Sequence, residues 1–463
     1  MHYPWWYVPL LTSPMLIAII AVLHVLVSHY AVGGGLFFAF ETSFAYQTGN
    51  REYLSYLRRH APFFILLTVV FGAITGVGIW WTIGLASPLA TEVLIRTFVF
   101  GWATEWVFFV IELTAAFIFY YYWGRLAPRI HQIMAWIYAI AAWISLVLIT
   151  GITAFMLHSG RWLESPSFWT GFFNPQFIPQ VISRTGGAIL LTSLYVYLHS
   201  SLLLPNGDVR SLIVRRSTRP AFVGAVLITV GGIAWLLFLP ESARLALEAA
   251  AVLTVLTVLI FALTVVVFAL LYFGPYRNPG WMTPGFAASL LLFGLAAFST
   301  GEFIREAVRK PYVVYGVVLG NQVLEKEVPD LRRNGFLQSG RWTHAYVAEH
   351  YPQAVDGGRI IPERLLSLPQ QDRQQIGQVI FMHHCNDCHA AKTGYSAIGP
   401  ILFSRPRPML VDMIRHLHET HYFMPPWSGT SEEAELVADY LLTLSPERPR
   451  GIYPSLEKLE TQP

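Results

Sequence analysis

Cysteine is nearly absent. Of 463 residues only Cys385 and Cys388 carry thiols, so a zinc site built from two cysteine pairs is excluded. Charge is scarce as well. Charged residues make up 13% of the chain against 54% hydrophobic ones, a balance outside that of soluble globular proteins and inside that of multi-span membrane proteins. The net charge of +3 is too small and dispersed for a nucleic-acid binder, so its distribution among loops carries the information. The start, "MHYPWWYVPLLTSPM", lacks a basic leading segment and a small-residue cleavage site. It reads as an uncleaved lead with Trp5, Trp6 and Tyr7 at headgroup level. No internal repeat and no low-complexity tract occurs.

What is present is apolar length. Eight stretches can cross about 30 Å of hydrocarbon, near 14–45, 62–86, 95–122, 132–156, 177–203, 221–239, 244–273 and 284–304. The expected fold class is all-α, a polytopic membrane bundle of about eight helices followed by a small helical domain. Loops after the odd-numbered spans carry Arg51, Arg58 and Arg59, then Arg125 and Arg129, then Arg210, Arg215, Arg216 and Arg219, then Arg277. The opposite loops carry few basic residues, so the positive-inside rule puts those arginines in the cytoplasm and both termini outside. After Lys310 the hydropathy collapses. The expected division is a membrane domain at 1–310, an outer-side linker with some local structure at 311–373, and a small soluble unit at 374–450. Its closing helix, "SEEAELVADYLLTL", has a Ser-x-x-Glu-like start and an apolar period near 3.6.

Both thiols fall in "FMHHCNDCHAAKTG". Cys-x-x-Cys-His is the attachment signature of a c-type heme: two thiols one helical turn apart reach the two vinyl groups, and the adjacent His389 supplies the proximal nitrogen. A thioredoxin-like dithiol would need a βαβ pattern that is missing. Met424 in "HYFMPPW" is the expected sixth ligand, because a thioether opposite imidazole favours reduced iron and the following prolines stiffen the loop. The segment resembles class I cytochrome c domains. Such attachment happens outside the cytoplasm, in agreement with the arginine count.

Ionisable groups inside a membrane are costly enough to mark function. The first span holds His24 and His29, the third Glu105 and Glu112, and the eighth ends with Glu302, Arg305, Glu306 and Arg309. His24 and Glu105 each lie about ten residues past an outer helix start, a depth near 15 Å at 1.5 Å per residue. Glu105 and Glu112 share one helix face. A histidine near two stacked carboxylates suits heme iron with a proton path. Structural readings stand beside this one: His24 as an interhelical hydrogen-bond partner, Glu105 and Glu112 paired with Arg184 or a hydroxyl, and Glu302 to Arg309 as a salt-bridge cluster. His24 and His29 lie about 140° apart around their helix, too far to share an iron. The glycines of "AVGGGLF" read as close-packing positions, and His416, His418 and His421 as solvated polar residues near the heme. His29, Arg184 and His158 have no assigned role.

At these residues the membrane part resembles subunit I of the cytochrome bd-type oxygen reductases. "LHVLVSHYAVGGGLFFAFETSFAYQTG" is similar to that family's first helix, with His24 at the position of its high-spin heme ligand. "EWVFFVIELTAAFIFYYYWGRL" is similar to the third, with Glu105 and Glu112 matching two glutamates tied to the oxygen-reactive heme and its proton supply. "GEFIREAVRKPYVVYG" resembles the family's Glu-x-Gly-Arg-Gln-Pro-Trp segment, with Glu306 as the second high-spin ligand and Arg309, Pro311 and Tyr312 in matching places. The departures matter too. The family's low-spin b heme uses a histidine on helix five and a methionine on helix seven, yet "PQFIPQVIS" has no histidine and 244–273 no methionine. The large quinol loop shrinks to "LPESAR", and a ninth helix is missing.

The resemblance implies a membrane heme oxidoreductase of a branch without a quinol site. Its expected cofactors are one covalent heme c and two membrane hemes of b or d type, held by His24 and Glu306. Electrons would come from an outer-side cytochrome or similar donor and reach oxygen or another small gas, with Glu105 and Glu112 passing protons inward. A second membrane subunit is a possible partner, and a bacterial or archaeal cytoplasmic membrane the expected location. The alternative is an electron-transfer subunit of a larger respiratory complex, without gas chemistry.

Overall fold

Pro62 does not interrupt the second membrane helix. In the computed structural model, which describes residues 6–402 and 405–444, that helix starts at Arg51, capped by the Asn50 side chain accepting from the Tyr53 amide at 2.9 Å. It runs through Pro62 and relaxes into a π-helical turn at Leu66–Phe71. A proline removes one amide donor and crowds the preceding carbonyl, and a widened turn downstream absorbs the mismatch.

Among the described residues, eight helices are long and apolar enough to cross a membrane: α1 Ser13–Thr48, α2 Arg51–Ala86, α3 Val99–Tyr121, α4 Pro128–Ala154, α5 Phe177–Leu203, α6 Asp208–Leu237, α7 Ala251–Tyr276 and α8 Pro284–Ala307. Among the described residues the fold is all-α apart from two short antiparallel ribbons, Tyr312–Val314 with Val318–Leu319 and Val355–Asp356 with Arg359–Ile360. Two helices begin earlier than hydropathy indicates, α2 at 51 rather than 62 and α6 at 208 rather than 221. Their first turns are basic and amphipathic, so apolarity reveals only the part of each helix that meets lipid. Arg216, one of the arginines that set the expected topology, pairs with Glu41 at 2.5 Å and lies over the Phe44 ring.

The chain divides into two units. One comprises Ile17–Leu319, the other Met1–Leu16 with Gly320–Pro463. Within the membrane unit helices approach through small residues. A Cβ on Gly33 would fall 2.0 Å from the Ala188 carbonyl oxygen, and one on Gly186 2.6 Å from that of Gly224. With lipid outside and no hydrophobic gain from burial, such backbone approach is what holds membrane helices together.

In the second unit, α9 Gln370–His384, α10 Arg407–Arg415 and α11 Ser431–Leu444 pack around one core. That core also takes in Phe336, Leu337, Val347, Tyr351, Leu365 and Leu368. Of the expected linker 311–373, residues 320–373 are thus part of the soluble unit; short helices such as Val328–Asn334 and Arg341–His350 are too brief for periodicity to expose their buried side. Trp5 and residues 445–450 lie outside the described residues.

Glu433 locks this arrangement. It is 2% exposed, and its carboxylate accepts from the amides of Phe336 at 2.9 Å, Leu337 at 2.7 Å and Thr430 at 2.8 Å. The Glu433 amide in turn donates to the Thr430 hydroxyl at 3.2 Å. The reciprocal cap therefore pairs Thr430 with Glu433, one residue before the serine that the sequence suggests. Removing the carboxylate leaves three buried amides without acceptors, at about 1–3 kcal/mol for each such group. Glu433→Ala should lower the melting temperature of the cytochrome unit by roughly 10 °C, read by thermal unfolding of the whole chain followed through c-heme absorbance. An unchanged midpoint would show that the clamp contributes nothing.

Candidate functional site

Helix α9 delivers Cys385 by running straight into it, the Cys385 amide bonding the Phe381 carbonyl at 2.8 Å. One further turn follows, with the amides of Cys388 and His389 both donating to the Cys385 carbonyl, at 3.1 and 2.8 Å. The thiols are not joined in a disulfide. His389 Nδ1 stands 2.9 Å from the Ser396 carbonyl oxygen. A carbonyl only accepts, so Nδ1 carries the proton and Nε2 the lone pair, the tautomer an iron ligand needs. The loop that supplies Ser396 is pinned in turn. The Tyr395 amide donates to the Leu10 carbonyl at 2.7 Å, and Gly394, at φ +115°, lies so close that a Cβ would fall 2.3 Å from that oxygen. Ser13 Oγ donates to Asp387 at 3.4 Å, and burial pushes the Asp387 carboxyl up to about 7. The N-terminal lead is thereby a strap across the Cys-x-x-Cys-His turn.

Met424 is held from both sides. Its amide donates to the His421 carbonyl at 2.7 Å and its carbonyl accepts from His418 Nδ1 at 2.8 Å, with Pro425 and Pro426 following. His418 shapes the methionine loop, and His416 pairs with Asp412 at 3.2 Å. Among the described residues no group of three or more His, Cys, Asp or Glu side chains could hold a metal ion. Behind the motif His384 packs on Phe336 and Trp427, 4.1 and 5.2 Å between ring centres. Its Nδ1 accepts from Asn321 at 3.0 Å, and burial pushes the imidazole down to about 3, keeping it neutral.

In the membrane unit His24 sits between α1 and α2. The Thr75 hydroxyl donates to the Phe71 carbonyl at 2.9 Å and so accepts from His24 Nδ1, 3.0 Å away. Here too Nε2 carries the lone pair. Gly76 makes room for the ring; a Cβ there would fall 3.1 Å from His24 Cε1. The donor sets at His389 and His24 therefore both fit axial coordination of heme iron.

The carboxylates on α3 are paired with hydroxyls, not with Arg184. Glu105 accepts from Ser145 on α4 at 2.8 Å, and Glu112 is hydrogen-bonded to Tyr138, also on α4. The Ala31 carbonyl, 3.2 Å from the same hydroxyl, competes for its single proton. Arg184 reaches Thr150 at 3.5 Å. At the end of α8 the charged residues form a network: Arg305 bonds Glu302 at 2.9 Å and Glu306 at 2.8 Å, and Arg309 bonds the other Glu306 oxygen. Arg309 Nη1 also donates to Met156 Sδ at 3.3 Å. The salt-bridge reading of this cluster is thus realised. Each Glu306 oxygen keeps a further lone pair, so ligation and ion pairing are compatible.

His29 points elsewhere than His24. Its Nδ1 donates to the Val25 carbonyl at 2.7 Å, its ring meets the edge of Phe298 at 4.6 Å, and its Nε2 is buried without a partner. A second buried cluster escaped the sequence reading altogether: Tyr30, His60 and His199, joined by hydrogen bonds of 2.9 and 2.8 Å. His60 falls before the apolar part of α2, and nothing local to either histidine signals a contact across 139 positions. An open cavity of about 630 Å³ lies on the loop side of α4 and α5, lined by His158, Arg161, Glu164 and Trp169.

Comparison with known proteins agrees with this geometry. The family model for cytochrome bd terminal oxidase subunit I matches residues 13–236, and that for cbb3-type cytochrome c oxidase subunit III matches residues 372–441. Glu306 and Arg309 lie beyond both segments. No curated protein matches the chain. Among solved structures, the bd oxidase from Geobacillus thermodenitrificans shares the fold at a TM-score of 0.57 and 17% identity, over 67% of this chain and 89% of that one. One polypeptide therefore joins a cytochrome bd subunit I domain in the membrane to a cbb3 subunit III-type cytochrome c domain, the make-up of a membrane heme oxidoreductase.

Proposed function

We propose that this protein reduces oxygen or another small gas, taking electrons from a reduced cytochrome or similar donor at its own c-type cytochrome unit and not from quinol. The observation that carries the reading is the pairing of a ligand-ready His24 with two intramembrane carboxylates held by hydroxyls, in a chain that also owns a cytochrome. An anchor would need one helix and no buried glutamates.

In this reading Cys385 and Cys388 would hold a covalent heme c, with His389 and Met424 as its ligands. His24 and Glu306 would hold two membrane hemes of b or d type. When bound, these groups supply one-electron carriage and an open iron position for the gas. The chain's residues supply the rest. The Ser396 carbonyl and the Thr75 hydroxyl accept from Nδ1 of His389 and His24 and so fix the ring orientation and tautomer of each. Arg305 and Arg309 orient the Glu306 carboxylate and balance its charge in a medium that penalises lone ions. Glu112, on the Tyr138 hydroxyl, and Glu105, on the Ser145 hydroxyl, store and pass protons along one face of α3. The basic loops then face the cytoplasm and the cytochrome unit the outer side, so protons enter from within and electrons from without.

Glu112→Gln tests the proton role. The amide keeps shape and hydrogen bonding but carries no proton. Gas consumption with a reduced cytochrome donor should fall at least tenfold, with the heme complement unchanged by pyridine hemochrome assay. A normal rate with full heme would make Glu112 a packing residue. The alternative, electron transfer without gas chemistry, draws support from the arginines on both Glu306 oxygens. A carbon monoxide difference spectrum of the reduced protein separates the two, since only an open high-spin iron binds the gas.

A further inference from the structure

The Tyr30, His60 and His199 cluster lies outside every role assigned so far. His60 is fully buried, 0% exposed, and both ring nitrogens are engaged: Nε2 with the Tyr30 hydroxyl at 2.9 Å and Nδ1 with His199 Nδ1 at 2.8 Å. Two imidazole nitrogens at that distance require one donor and one acceptor, so the tautomers of the two histidines are coupled. Apolar rings enclose the pair. Phe37 and Phe38 stand 5.6 Å from the His60 ring and Phe63 5.8 Å, and Phe63 stacks on His199 at 5.1 Å. Tyr56 stacks on His60 at 5.6 Å, and its hydroxyl is buried without a partner. Packing alone would be served better by phenylalanine, which brings no polar atoms to satisfy.

The placement gives the cluster a direction. His199 is half-buried, four residues before the end of α5, about 6 Å in, and Arg59 lies within electrostatic range of it. Both the α5 end and the α2 start adjoin basic loops. Tyr30 sits farther along α1, and the carbonyl of the next residue, Ala31, lies 3.2 Å from the Tyr138 hydroxyl. Tyr138 is the partner of Glu112. The Phe64 ring touches both tyrosines, at 5.4 and 5.5 Å.

We infer that His199, His60 and Tyr30 form a proton relay from the basic-loop face of the membrane unit to Tyr138 and Glu112. This deepens the proposed function and rests on it for its purpose. Each step conserves protons. A proton arrives at His199 Nε2, the Nδ1 proton of His199 passes to His60 Nδ1, the Nε2 proton of His60 passes to the Tyr30 oxygen, and Tyr30 releases its own proton onward. Every group gains one proton and gives one, none becomes permanently charged, and the rings turn back to reset the line. The step from Tyr30 to Tyr138, past Phe64, is the one a water molecule would bridge. These are positioning and conducting residues; none touches the gas site.

The test uses the full chain in vesicles with a pH-sensitive dye on the basic-loop side, and follows proton uptake as dithionite reduces the membrane hemes. Tyr30→Phe removes one hydroxyl, and His60→Phe preserves the stacking. His199→Phe, at the half-buried end, serves should the His60 substitution fail to assemble. Uptake at least tenfold slower than in the native protein, with heme content and the rate of heme reduction unchanged, is the expected result. Native uptake rates in variants with full heme would overturn the relay, as would loss of heme in all three, which would make the cluster structural. Gas consumption is measured separately. A native chain that consumes no gas yet shows relay-dependent uptake would sink the proposed function and leave the relay standing.

Discussion

His24→Ala should leave the protein one membrane heme short, with its covalent heme c intact and its gas consumption below about a hundredth of the native rate. In the proposed reading the imidazole anchors that heme, and the Thr75 hydroxyl, 3.0 Å from Nδ1, would not replace it as a ligand. The c heme would in that reading be fixed by two thioether bonds to Cys385 and Cys388, which are far from His24 in the sequence. Pyridine hemochrome analysis gives the ratio of noncovalent to covalent heme directly, and the carbon monoxide difference spectrum shows whether the open iron has gone. Thr75→Val should act in the same direction more weakly, about tenfold on heme affinity, because it removes only the group that fixes the ring. Full heme content in the alanine variant would make His24 a hydrogen-bond partner between helices, nothing more.

The eight membrane helices were legible because the bilayer imposes a local rule: about 20 apolar residues in succession. Their ends were less so. The basic first turns of α2 and α6 continue the helix beyond hydrocarbon, where capping by Asn50 decides the start. The cytochrome motif was legible for a similar reason, since its chemistry needs residues adjacent in sequence. What stayed hidden depends on distant partners. Glu433 reaches Phe336 across 97 positions, which is why 320–373 passed for a linker. His60 and His199 are unremarkable in their own segments, and only the packing of α2 against α5 makes them a pair. Buried polar groups of this kind carry no periodicity and leave no composition signal. The salt-bridge network at Glu302 to Arg309 was foreseeable from spacing, whereas the hydroxyl partners of Glu105 and Glu112 were open alternatives that only α4 could decide.

In the proposed reading, electron supply is what separates this chain from a quinol-driven enzyme. Residues 175–183 at the start of α5 lack a histidine, α7 lacks a methionine, and the connection between α6 and α7 is short, so by the resemblance the low-spin heme ligands and the quinol loop are missing together. In that reading the cytochrome unit accepts the electrons, and Met424 sets how readily it does so. Met424→His should lower the c-heme potential, because imidazole donates more strongly to oxidised iron while the thioether favours reduced iron. Axial ligands set heme potentials over a range of ~0.8 V, and each ~60 mV lost reduces a one-electron equilibrium about tenfold. Turnover with a high-potential soluble cytochrome should therefore fall at least tenfold, while reduction of the membrane hemes by dithionite survives. Comparing quinol and reduced cytochrome as donors, for native protein and variant alike, decides the matter. Fast quinol-driven reduction of the membrane hemes in both would show a quinol site in the membrane unit, for which the cavity at His158, Arg161 and Glu164 would be the place to look. Failure with quinol in both, and with cytochrome only in the variant, would make the fused cytochrome the entrance for electrons.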